Sequence, residues 1–112
     1  MSTLSNNIRL SYLYRDAGNY KLFGQVVFGN QENIALEEIR NRINDCLIDG
    51  EFFEAKKWGL PELKFENYLP ELDHNWCEFE NVEVSFLDIT DNRAIVEFIC
   101  EIEGFNLKLH SI

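Results

Sequence analysis

Residues 8 to 28 constrain the fold more than any other stretch of the chain. Ile8, Leu10, Tyr12 and Tyr14 alternate with Arg9, Ser11, Leu13 and Arg15, the period of a strand with one buried face, and the β-branched and aromatic content suits a pleated surface. Asp16-Ala17-Gly18-Asn19 then supplies turn chemistry: Gly18 is free to take positive φ, and Asp16 and Asn19 can bond nearby amides. Tyr20 to Phe28 returns as a second strand, in which Gly24 marks a bulge or a close approach. A hairpin this early commits the chain to an antiparallel sheet, whose apolar face needs a second layer.

That layer comes next. Leu36, Ile39, Ile43, Cys46 and Leu47 fall on one helical stripe, with Glu37, Glu38, Arg40, Arg42 and Asn44 away from it, which predicts a helix over 34–48 followed by Gly50 as its C′ residue. Glu51 to Glu54 is expected to re-enter the core through Phe52-Phe53, as a short strand or an extended segment. Residues 55 to 81 show no clear period and contain both prolines, Pro61 and Pro70. Val82, Val84 and Phe86, then Val96, Phe98, Cys100 and Ile102, alternate with polar residues around a turn at 90–93 and read as a second hairpin; Gly104 breaks the run before a last strand with Phe105, Leu107 and Leu109. The expected fold is α+β: an antiparallel sheet of four to five strands, in the order ββα, irregular segment, βββ, with one main helix on one face. In this reading Leu36, Ile39, Ile43 and Leu47 pack on Val84, Phe86, Val96 and Phe98. A chain of 112 residues suffices for one core, so residues 1–112 are expected to form a single globular domain.

The net charge of −10 is unevenly spread. Residues 1–61 carry eight acids and seven bases, whereas residues 62–103 carry twelve acids against Lys64 and Arg93 alone. Such a field repels phosphate backbones and anionic lipid and attracts a basic protein surface, so direct nucleic-acid binding is disfavoured. The first dozen residues lack a basic region followed by an apolar run, and no stretch approaches the length of a membrane span, so the chain reads as cytoplasmic and free of membrane. Three cysteines, Cys46, Cys77 and Cys100, with no short paired spacing, read as reduced thiols, with Cys46 and Cys100 on core-facing positions.

DHNWCEF, residues 73 to 79, holds the chemistry-bearing side chains. A metal site there would use Asp73, His74 and Cys77, but a structural zinc needs four good ligands and the paired motifs are missing. A cysteine hydrolase would pair Cys77 with His74 or His110, yet Glu78 and Glu80 oppose thiolate formation. Neither metal nor cofactor is expected, and Trp76 and Phe79 read as core or interface anchors. A second polar cluster, Arg15, Asp16, Asn19 and Lys21, sits at the first hairpin tip; turn chemistry accounts for most of it, with anion or partner binding as the alternative.

The order YLYRDAGNYK, LEEI, DGEFF, GLPEL, DHNWCEF resembles that of a group of short bacterial proteins without assigned activity. The resemblance implies a shared fold and no chemistry, and the group's pattern has His where Cys77 stands, which weakens a thiol mechanism further. Taken together, the sequence favours a small non-catalytic binding protein of the inhibitor, immunity or regulatory-subunit kind. It would dock a basic partner through the acidic, aromatic-bearing segment 62–86, with Tyr68, Asp73, His74, Trp76, Glu78, Phe79 and Glu80 in contact. The alternatives are a metal protein or hydrolase centred on DHNWC, and a nucleic-acid mimic.

Overall fold

The computed structural model describes residues 6–65, 74 and 76–110, with the backbone alone for 105–110. Four strands, β1 (Asn7–Arg15), β2 (Lys21–Phe28), β3 (Phe52–Glu54) and β4 (Trp76–Ser85), form one sheet in the order β2-β1-β4-β3, and every pairing is antiparallel. Two helices, α1 (Leu36–Asn44) and α2 (Ile95–His110), complete an α+β fold. The opening hairpin forms in unbroken register, from Ile8 opposite Phe28 to Arg15 opposite Lys21. Asp16 closes its tip by accepting the amides of Gly18 and Tyr20, and Asn19 takes φ 67°.

Strand alternation puts Ile8, Leu10, Tyr12 and Tyr14 on the core face, where Val26, Phe28, Cys77 and Val82 of the neighbouring strands join them. Two structures share the work of covering this face. Ile39 and Ile43 of α1 and Ile95, Phe98, Ile99 and Ile102 of α2 pack over one end. Ala55, Trp58, Leu60 and Leu63 cover the other, where the Tyr12 hydroxyl donates to the Pro61 carbonyl. Aromatic rings connect the two halves. Phe53 stacks on Trp58 at 4.3 Å between centroids, Trp58 meets Phe98 edge-on at 5.9 Å, and Phe98 stacks on Phe28 at 4.6 Å. Gly24 is needed for close approach here: a Cβ would come within 3.0 Å of the Tyr12 ring and 3.1 Å of Leu63.

The C-terminal third differs from the expected strands. Residues 95–103 are helical, and the helix runs through Gly104 to His110 instead of breaking there. Alternation would have left Ile95 and Ile99 on the polar side, whereas the spacing 95, 98, 99, 102 buries four large apolar side chains together. Glu97 supports the start by accepting the Ala94 amide at 2.9 Å, one half of a capping box. Cys100 consequently points outward and is exposed. Val84 and Phe86, expected beneath α1, are also exposed, because the sheet ends beside them; α1 packs instead against β4 and α2.

Helix α1 is shorter than the predicted 34–48. Gly50 is not its C′ residue: Asp49 and Gly50 take φ 54° and 72° as the central pair of a turn of the I′ kind, closed by the Glu51 amide on the Ile48 carbonyl at 3.1 Å. The helices are fixed to each other and to the sheet by arginines. Arg42 binds Glu103 at 2.7 Å and 2.8 Å, and Arg40 donates to the Val82 carbonyl at 3.2 Å on the part of β4 that lies beyond β3. Among the described residues no helix is long and apolar enough to cross a membrane.

Candidate functional site

The first half of β4 carries Trp76, Cys77, Glu78, Phe79 and Glu80 of the residues singled out in the sequence, and strand parity sends neighbours among them to opposite faces. Cys77 pairs with Tyr14 and Phe53 on the core face and is buried. Its thiol is pushed up to about 11, first by burial and further by Glu62 and Glu78, with an Ala55 backbone hydrogen bond pulling the other way. A thiol held protonated at neutral pH is a poor nucleophile and a poor metal ligand. Phe79, opposite Tyr12, is half-buried and packs on the core.

Glu78 faces outward and takes Arg15 in a two-pronged pair, Nε–Oε2 at 2.8 Å and Nη2–Oε1 at 3.2 Å. The same guanidinium donates to Asn19 Oδ1, so the polar tip and the DHNWCEF segment, separate in the sequence, meet across the β1–β4 pairing. Lys21 is exposed at the start of β2, and Glu80 is the extra residue of a β-bulge, exposed to solvent. Tyr68 and Asp73 lie outside the described residues.

His74 and Trp76 stay together at the β3 end of the sheet. The Trp76 amide donates to His74 Nδ1 at 3.0 Å, and the Tyr14 hydroxyl holds the His74 carbonyl at 2.9 Å. Trp76 is 39% exposed, so it is not the core ring that one reading of the sequence allowed; Trp58 fills that role. With Ile48, Asp49 and Phe52, these two side chains line a cleft of about 400 Å³. The turn at Asp49-Gly50 creates it: an isolated bridge pairs Ile48 with Phe52 and turns both toward Trp76. Sequence reasoning missed these three residues. The Asp49-Gly50 dipeptide, directly after Ile48 and two residues before Phe52, was the available signal, since Asp-Gly close to apolar residues marks a tight hairpin.

Behind the cleft, a cavity of about 50 Å³ lies between Tyr14, His74 and Cys77 on one side and Glu54, Glu62 and Leu63 on the other. That is space for one to a few water molecules. Among the described residues no three His, Cys, Asp or Glu side chains gather to hold a metal ion. No family model matches the chain, and neither does any curated protein or solved structure.

Proposed function

We propose that this chain is a non-catalytic binding protein, an inhibitor, immunity-type or regulatory subunit, and that it receives a basic, apolar-tipped partner segment at the Trp76 cleft. The observation that carries the reading is the cleft itself. Two partly exposed large apolar side chains, Ile48 and Trp76, flank it, with Phe52 and His74 between them and a carboxylate, Asp49, in its wall. Glu51 on the same turn and Glu80 further along β4 are exposed, and they extend the acidic rim. An aromatic anchor in a concave site, with complementary charge at the rim, is the composition that gives interfaces their affinity and their on-rate. Catalysis fits less well, because Cys77 is buried and its thiol pKa raised.

The test uses the whole chain immobilised beside Trp76→Ala and Asp49→Lys variants, each first checked for unchanged unfolding in urea. The wild type should retain a stoichiometric partner from its native extract that elutes with salt. Trp76→Ala should weaken its capture at least tenfold, as loss of an anchoring Trp does, and Asp49→Lys should weaken it at low salt but little at high salt. No partner, or one held equally by both variants, refutes the proposal.

A further inference from the structure

Among the described residues, the outer edge of β2 is only half used. Val27 turns its main chain away from β1: its N–H donates to Thr90 Oγ1 at 2.9 Å, and its carbonyl accepts the amides of Thr90 and Asp91 at 2.9 Å and 3.1 Å. One rung further, the Gly29 carbonyl accepts the Ile95 amide at 2.8 Å. Because the β1–β2 register is unbroken, the outward direction recurs at every second residue, so Gln25, Phe23 and Lys21 also present their N–H and C=O groups outward. Among the described residues nothing bonds the outward groups of Phe23 and Gln25. Such a row is a template for another strand.

We propose that this edge pairs with itself: β2 of a second copy adds antiparallel about a two-fold axis at Phe23, joining two four-stranded sheets into one. In that register Phe23 meets Phe23 of the second copy, Lys21 meets Gln25 and Tyr20 meets Val26. Three observations select a second copy as the occupant. The first is charge. Residues 17–31 carry a single charge, Lys21, in a chain of net charge −10, so this edge is where two copies approach with least repulsion.

The second observation is fit. Tyr20, the residue just before β2, is 71% exposed; extended by one residue, the strand's parity puts it with the even-numbered positions, which share the sheet face of Tyr12 and Leu63. On that face a groove of about 590 Å³ opens beside Gln25 and Val26, floored by Leu60 and Pro61 and ended by Thr90 to Arg93. The two-fold therefore brings each Tyr20 to the other copy's groove. On the opposite face Phe23, 64% exposed and paired across the hairpin with Leu13, would face its own copy as a cross-strand aromatic pair.

Closure is the third observation. The far edge of the sheet is a three-residue strand, and Arg40 covers the part of β4 beyond it, so growth stops at two copies. Pairing over so few residues is at the small end of protein interfaces and gives a reversible dimer.

Sedimentation equilibrium of the full chain over a wide concentration range tests the proposal. The wild type should show a monomer–dimer equilibrium. Phe23→Lys should raise its dissociation constant at least tenfold, and Gln25→Pro should do the same, since proline removes an outward N–H without touching a β1–β2 bond. Phe86→Lys, at a side chain 72% exposed beyond the end of β4, should leave the constant unchanged. Amide exchange at Phe23 and Gln25 should slow as concentration rises. A monomer throughout overturns the proposal, as does a dimer indifferent to both edge variants or one dissociated by Phe86→Lys.

Discussion

Arg93 is the most heavily bonded side chain described, and replacing it by Met tests how the loops are held on the core. Its guanidinium lies 5.1 Å from the Phe98 ring and 5.8 Å from Phe28. It donates to both Asp91 oxygens at 2.9 Å and 2.7 Å, to the carbonyls of Trp58 and Gly59 at 3.1 Å and 3.2 Å, and to Glu101 at 2.9 Å. Arg93→Met keeps an aliphatic stem over the rings and removes all of these donors. The Glu101 bond adds little, because that carboxylate is 60% exposed. The loss comes from Asp91, left largely buried with only the Arg93 amide, and from two loop carbonyls. Charge-assisted bonds of this kind contribute about 1.5–3 kcal/mol each and are not additive, so the expected destabilisation is about 3 kcal/mol, or roughly 12 °C in Tm for a domain of this size.

Urea unfolding followed by tryptophan fluorescence measures that loss, and a double-mutant cycle with Asp91→Asn isolates the pair. Hydrogen bonding from Arg93 lowers the Asp91 pKa below its ordinary 3.8, so this contribution is fully present above that value and is lost as pH falls through the lower folded-state pKa. The coupling should therefore be at least about 1 kcal/mol at neutral pH and shrink below about pH 3.8. A loss under about 1 kcal/mol, or a coupling independent of pH, would show that the loops are held by apolar packing alone.

Two further outcomes follow from burial. Ile43→Ala removes a fully buried side chain between α1 and the sheet and should cost about 2–5 kcal/mol in urea unfolding; an unchanged midpoint would contradict the packing described. Of the three free thiols, Cys100 is exposed while Cys77 is buried with its pKa near 11, so at mildly alkaline pH an aromatic disulfide reagent should label Cys100 first and Cys77 only on unfolding; equal rates for the two in the native protein would contradict this.

The parts of the fold legible in the sequence are those whose signals are local. The β1–β2 hairpin has its alternation and its turn residues within one short stretch, and β3 is announced by Phe52-Phe53. Helix α2 was not legible as a helix because its residues fit two periods. Val96, Phe98, Cys100 and Ile102 alternate as a strand would, while Ile95, Phe98, Ile99 and Ile102 make a helical stripe, and only the buried area of the finished core favours the second. The Arg15–Glu78 pair joins residues 63 positions apart, so no local pattern could announce it.

The irregular look of residues 76 to 81 has a specific physical cause. Cys77 and Phe79 reach the core on odd positions, and Val82 reaches it on an even one. An unbroken strand cannot do both, because one residue of slip sends every later side chain to the other face. The shift falls between Ser11, opposite Asn81, and Tyr12, opposite Phe79, which leaves Glu80 as the extra residue. A bulge there lets a single strand bury both sets, and it also puts a carboxylate into solvent where an inward-facing position would have had to desolvate it. Read without the bulge, the segment has no period, and its charges look like a surface loop. With the bulge it is a central strand that pins Cys77 inside and leaves Trp76 outside beside Ile48 and Phe52, so the same parity rule that hides the thiol also exposes the aromatic ring of the proposed binding cleft.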